Sequence, residues 1–438
     1  VIGGTIFWIV RRETRDRVVA ALVGLTFFAA NIVYQIGPLC RLHMLMVMFG
    51  LLGVAFMARM EDPTHGRGSA PLTTSGSAPL TTRRNLWLGM LCLLAAGYTK
   101  QLAFDAVAAA FLFFLLRRPR QALLYGVGFA AVVGVIFVGL NLATDGQWWL
   151  NAITANANPF IPGQTQALYQ QWLRLYPVII LLAAGYVLWT LYLDRISIYS
   201  LYFVIATAKG VLSGKWGAGP GYFITAIVAA CLCAGIGLGL LRRWVAERAA
   251  QEGARARRWR WAGLALGAAV SLLFLYQARL NLHLPLEHPL TRPVAQLLGI
   301  PSESPHRFRQ SYYDSMGYTQ LGHLPTAADA EAGWEIVDWV RASQEDGPAW
   351  SEEAMFTIWA DQEHVVTNPT QLYNLWNMGK LDVTEMVEMI DARRFGLVIF
   401  RAQFYPPPVL DAIGQNYDVV DHVEMNGFLY AILRPRPR

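Results

Sequence analysis

Six ionisable residues stand in or beside otherwise apolar stretches of the chain: Arg41, His43, Lys100, Asp105, Lys209 and Lys215. A charge among hydrocarbon costs about 2.5–3.5 kcal/mol on insertion scales, so each of these residues needs a partner or a task. Arg41, Lys100 and Lys215 fall at turns between apolar stretches. Glycines surround Lys215 in residues 213–222, and their backbone N–H groups can approach an anion closely. Three such cations suit the phosphate or pyrophosphate of a substrate anchored in lipid. The competing explanation is that each cation anchors a helix end, its stem snorkelling to water. Asp105 is better suited to pairing with Lys100 or Lys209 than to catalysis. His43 is a candidate ligand for a divalent metal ion through neutral imidazole, but one histidine does not make a site, and a lone histidine is more often a hydrogen-bonded structural residue.

A second group of polar residues lies in 144–160, where amides and a carboxylate stand among aromatic rings. Asp145, Trp148, Asn156 and Asn158, with Tyr222, form a set that could line a sugar or acceptor site, the rings offering apolar faces and polar edges. An interfacial helix with ordinary polar caps accounts for the same composition.

The elements that must position these groups are apolar. The chain is 55% hydrophobic and 15% charged, with 15 Trp and 18 Tyr, against about 25% charged in soluble domains. Taking about 20 apolar residues per span, candidates lie at 1–10 (partial), 18–38, 41–58, 86–98, 102–116, 122–142, 176–193, 197–213, 221–241 and 262–277. Arginine-rich connections at 11–17, 59–84, 117–120 and 242–260 share one side if 86–116 crosses twice, with a break at Tyr98–Gln101. By the positive-inside rule that side is cytoplasmic. Arg41, Lys100, residues 145–162, residues 215–222 and everything after 278 are then outside. The excess of basic residues, net charge +6, therefore sets topology and gives no reason to expect a nucleic-acid partner. All four cysteines lie in or beside apolar spans, so no disulfide framework or zinc cluster is expected.

Residues 1–277 thus read as a transmembrane domain, a polytopic α-helical membrane protein of about nine to ten spans. The inside loop 59–85 repeats Gly-Ser-Ala-Pro-Leu-Thr-Thr at 68–74 and 76–82, a low-complexity pattern expected to be disordered. The outside loop 143–175 carries Trp148, Trp149, Phe160, Tyr169 and Trp172, expected on amphipathic helices at the membrane interface. Residues 278–325 form a linker. Residues 326–438 read as a small extracytoplasmic α/β domain, with helices at 327–343 (Trp334, Val337 and Val340 on one face) and 383–393. Short buried strands are expected at 397–400, 419–423 and 428–433. No phosphate loop or nucleophile elbow occurs there. Val1 stands in the middle of an apolar run, and the chain reads as lacking N-terminal sequence.

Four segments in order resemble landmarks of bacterial GT-C membrane glycosyltransferases: 37–44 (Gly-Pro-Leu-Cys-Arg-Leu-His-Met), 97–102 (Gly-Tyr-Thr-Lys-Gln-Leu), 146–160 (from Gly-Gln-Trp-Trp to Ala-Asn-Pro-Phe) and 214–223 (Gly-Lys-Trp-Gly-Ala-Gly-Pro-Gly-Tyr-Phe). The likeness is to the dolichyl-phosphate-mannose-protein mannosyltransferase-like group, including lipid A sugar transferases. The resemblance implies transfer of a sugar from a polyprenyl-phosphate donor to a lipid, glycan or protein acceptor at the outer face of the bacterial inner membrane, with inversion at the anomeric carbon. It also implies that Arg41, Lys100 and Lys215 hold the donor phosphate. The general base of such enzymes is a carboxylate between the first two spans, a position expected upstream of Val1. Where many relatives carry an aspartate after the landmark arginine, this chain has His43. A non-catalytic membrane scaffold, a glycan polymerase or ligase, and a transporter are the rival classes. A transporter would more often show paired internal repeats.

Overall fold

A computed structural model describes residues 1–36, 42–59, 80–281, 292–297, 326–366, 368–425 and 427–437. Arg41, most of the 59–85 loop and most of the 278–325 linker lie outside the described residues. The chain divides into two compact units, residues 1–137 with 161–304, and residues 138–160 with 305–438.

The first unit is helical. Its elements are α1 (Ile2–Thr14), α2 (Arg17–Ala29), α3 (Asn31–Ile36), α4 (Leu42–Ala58), α5 (Leu80–Thr99), α6 (Phe104–Arg117) and α7 (Pro119–Ala143), whose last turns belong to the second unit. After α8 (Gln147–Ala152) of the second unit come α9 (Pro162–Leu175), α10 (Pro177–Tyr192), α11 (Ile198–Lys209), α12 (Ile224–Ala249), α13 (Ala254–Asn281) and α14 (Arg292–Leu297). The core is built around α12, in which every residue from Ile224 to Ile236 is buried. A helix apolar on all sides belongs in the middle of a bundle, and α1, α2, α10, α11 and α13 pack on it. The approach is close: a Cβ on Gly235 would stand 2.8 Å from Val23 and 2.9 Å from Val10.

Among the described residues three helices are long and apolar enough to cross a membrane, Pro119–Ala143, Pro220–Ala249 and Arg255–Asn281, or four if the bent pair α9–α10 is one span. That is fewer than the nine or ten expected. At about 1.5 Å per residue, α1 and α2, with 13 residues each, fall short of a hydrocarbon core about 30 Å thick. The break expected at Tyr98–Gln101 is present: α5 stops at Thr99, Lys100 is extended, and a 3₁₀ turn covers Gln101–Ala103 before α6.

A right-angled corner organises the loop end of the unit. Helix α9 meets α10 at 92°, with Pro177 starting the new helix. Gln277 of α13 holds the corner, donating to Leu175 O (2.5 Å) and accepting from Val178 N (3.1 Å), while Asn281 donates to Leu175 O (2.7 Å). The Tyr176 hydroxyl donates to Asn31. Gln164, Leu168 and Trp172, one turn apart, form the buried stripe of α9. This corrects the sequence expectation for Tyr169 and Trp172. Both pack on Phe223, Trp172 stacked at 5.3 Å and Tyr169 edge-on at 5.1 Å, and Trp172 is 4% exposed. Trp149 and Phe160 are exposed as expected. The repeat loop was expected to run to 85, but α5 begins at Leu80.

The second unit carries a four-stranded sheet of β1 (Ala349–Ser351), β2 (Leu397–Phe400), β3 (Tyr417–Met425) and β4 (Phe428–Pro435) in the order β1-β2-β4-β3. β1 and β2 are parallel, and the other neighbours are antiparallel. Alternate residues of β2 point to opposite faces. Val398 and Phe400 meet α17 (Pro369–Asn377), α18 (Thr384–Asp391) and α19 (Pro407–Asn416), whereas Leu397 and Ile399 meet α15 (Ala327–Ala342) and α16 (Ala354–Trp359). The result is a three-layer α/β domain. Two details differ from expectation: Trp334 is 47% exposed while Ile336, Val337 and Val340 form the buried face of α15, and the 419–423 strand is a largely exposed edge.

Candidate functional site

Lys100 leaves α5 in an extended conformation and its ammonium lies 2.8 Å from Nε2 of His43, in the first turn of α4. An ammonium can only donate, so Nε2 is the acceptor in this contact. The ring rests on backbone, since a Cβ on Gly221 would stand 3.3 Å from Nε2. Lys100, His43 and the turn preceding α12 therefore form one cluster, and Tyr222, half-buried, is in that turn.

Lys215 is on the loop leading into the same turn. The loop leaves α11 through a 3₁₀ segment, Gly210–Gly214, turns at Gly217 in the left-handed region (φ 73°), and enters the Pro220–Phe223 turn. One side chain staples it: Gln164 Nε2 donates to the carbonyls of Ser213 (2.6 Å), Lys215 (3.0 Å) and Ala218 (3.0 Å). Ile161 N adds a bond to Gly214 O at 2.7 Å. The N–H groups of Lys215, Ala218 and Tyr222 are used in turns within the loop, so an anion here would meet ammonium groups more than a backbone cradle. Lys215 is half-buried, and burial holds its pKa below the ordinary lysine value. Among the described residues no carboxylate forms an ion pair with it.

Behind these segments lies a buried ion pair. Lys209 Nζ is 2.5 Å from Asp105 Oδ2, each side chain 1% exposed. The ammonium also donates to Thr225 Oγ1 (2.9 Å) and Leu102 O (3.3 Å), and Asp105 Oδ1 accepts from Ala106 N (2.8 Å). Of the two partners that the sequence left open for Asp105, the structure selects Lys209.

The other sequence candidates belong to the second unit. Asp145 is exposed with φ 48° beside Gly146 at 83°. Asn156 donates to the Asn151 carbonyl at 2.8 Å, a local cap, and Trp148 and Asn158 are half-buried. Asn151 in turn accepts a bond from Gln371 of α17. Arg41 lies outside the described residues. Sequence reasoning missed Gln164, whose type gave no reason to separate it from its glutamine neighbours. It also missed Glu352, which is 8% exposed and collects the N–H groups of Arg401, Ala402, Gln403 and Phe404 at 2.8–3.1 Å.

A divalent ion does not fit this donor set. The Nε2 of His43 faces the Lys100 ammonium, and among the described residues no group of three His, Cys, Asp or Glu side chains is placed to hold a metal. Comparison of the chain with protein-family models, with curated proteins and with solved structures finds no match in any of the three.

Proposed function

We propose that the chain is a polytopic membrane glycosyltransferase of the GT-C type, taking a sugar from a polyprenyl-phosphate donor and passing it to a lipid, glycan or protein hydroxyl at the outer face of the bacterial inner membrane. The observation that carries the reading is the meeting of Lys100, His43 and Gly221 on segments contiguous with the Lys215 loop, at the heads of apolar helices. In the reaction the acceptor oxygen bonds to the anomeric carbon as the carbon–oxygen bond to phosphate breaks, and the phosphate departs on its polyprenyl chain. Lys100 and Lys215, with Arg41, hold that phosphate and stabilise the charge growing on it. His43 aims the Lys100 ammonium. Half-burial of Lys215 strengthens its attraction for an anion because water screens it less. A general base takes the acceptor proton as the new bond forms.

Supporting the reading is the position of α9, whose right-angled junction with α10 suits a helix lying in the membrane plane, with the Lys215 loop pinned to it through Gln164. The test is transfer of radiolabelled sugar from polyprenyl-phosphate donors by membranes carrying the complete protein, against K100A and K215A. Loss on the order of 10²-fold in each at equal expression is expected for removal of a transition-state donor. Transfer indifferent to both lysines would overturn the reading, and no transfer from any donor would favour a scaffold.

A further inference from the structure

Lys209 and Asp105 are charged, buried among apolar helices and far from water, yet neither reaches the Lys100–His43 pair or carries Lys215. Replacing such a pair by apolar residues of similar volume is often neutral or stabilising, so cohesion of the bundle is a weak reason for its presence. Its bonds, however, end on or beside the segments that carry Lys100, Lys215 and Tyr222. The Leu102 carbonyl belongs to the 3₁₀ turn that follows Lys100 directly. Asp105 opens α6 immediately after that turn. Thr225 is three residues beyond Tyr222 and four beyond the Gly221 backbone that supports His43. Lys209 itself ends α11, at the root of the loop to Lys215.

From this convergence we infer that the Asp105–Lys209 pair is a positioning device that sets the Lys100 turn, the Lys215 loop and the Tyr222 turn in register with one another. An ammonium has three donors, and here one goes to each of Asp105, Thr225 and Leu102. A shift of any segment breaks a bond to a charge in a low-dielectric setting, where an unmade bond is costly. An apolar pair would permit sliding. The loop root also has no slack, since a Cβ on Gly210, the residue after Lys209, would stand 2.6 Å from the Phe223 ring and 2.8 Å from the Tyr169 hydroxyl. The inference rests on the proposed function for its meaning, because the two lysines it registers are the proposed phosphate ligands. Its geometry can be tested without that reaction.

The experiment replaces both partners together, D105L/K209M, because K209M alone would strand a buried carboxylate. D105N/K209Q, which keeps hydrogen-bonding shape without charge, serves if the first variant does not reach the membrane. Acetylation of Lys100 and Lys215 by a water-soluble N-hydroxysuccinimide ester is followed by mass spectrometry on the whole protein in native membranes, beside donor kinetics. The expected result is a normally expressed, helical variant in which both lysines are acetylated several-fold faster and kcat/KM for the donor falls on the order of 10²-fold, the scale of a small misplacement in a preorganised site. Restoring the charges as K209R with Asp105 intact should bring acetylation back towards wild type. Unchanged acetylation of both lysines in the pair-less variant overturns the inference, whatever the kinetics. If wild type transfers no sugar from any donor, the transferase reading fails by itself, and the acetylation rates still decide whether the pair sets the loops.

Discussion

Glu352 and Glu353 are neighbours with opposite fates. Glu352 fills a ring of four backbone N–H groups from residues 401–404, with Gln403 held at φ 57° to complete it. Backbone donors aimed at one point need an acceptor, and leaving buried donors unmatched costs about 1–3 kcal/mol, more where a charge is involved. E352Q should therefore lower the stability of the second unit by about 3 kcal/mol, read as earlier thermal onset of proteolysis between residues 395 and 410; an onset identical to wild type would show that the ring does not depend on the carboxylate. Glu353 lies 2.9 Å from Arg401, but burial outweighs that attraction and raises its pKa above the usual carboxylate value. Its folded form thus binds a proton more tightly than its unfolded form. As pH climbs from the ordinary carboxylate value to the raised one, the unfolded chain releases its proton first, so stability falls across that window and stays lower above it. Denaturation midpoints measured from pH 4 to 7 should show this decline in wild type and a flatter profile in E353Q. Parallel profiles would remove the argument.

Helix α9 shows how an element can be visible in sequence and still be misjudged. Its amphipathic character was legible, but Trp172 and Tyr169 serve the core and not the membrane interface, because aromatic residues suit both places and only the phase of the helix decides. Gln164 falls on the buried side of the helix, its amide nitrogen within hydrogen-bond distance of three loop carbonyls. Q164L keeps the volume and removes all three bonds. It should cost about 1–3 kcal/mol and free the Lys215 loop, so that limited proteolysis after Lys215 accelerates while cleavage elsewhere is unaffected. Equal cleavage rates would mean that Ile161 and packing on Phe223 suffice. In the α/β domain the strand at Leu397–Phe400 was legible as a continuous apolar run, whereas β1 is three residues long and gives too little pattern to register. The edge strand β3 was expected to be buried because Val419 and Val420 are apolar, yet both face outward. The partner of Asp105 was undecidable from spacing, since Lys100 and Lys209 differ only in where α6 and α11 face each other.

Across the helical unit, charge is sorted along the bundle. Helices α4, α6 and α12 begin, and α5 and α11 end, at the segments bearing His43, Lys100, Lys209 and Tyr222. At their opposite ends Arg242 pairs with Asp16 at 3.0 Å, Arg59 stacks on Trp8 at 4.4 Å, and Arg117 donates to the Ile196 carbonyl at 3.1 Å. The arginine-rich connections thus lie at one end of these helices and the segments bearing His43, Lys100 and Tyr222 at the other. Helix α12, 26 residues and so about 39 Å long, joins the two ends in one pass. Its length exceeds the roughly 30 Å hydrocarbon core, so its termini must emerge on different sides if it is transmembrane. With the four native cysteines replaced, single cysteines at Glu252, in the connection between α12 and α13, and at Gln166, on the exposed face of α9, should react with an impermeant maleimide from opposite sides of sealed membrane vesicles. Reaction of both from one side would place the two ends of α12 in the same compartment, and would remove the membrane-spanning arrangement on which the proposed lipid-linked donor depends.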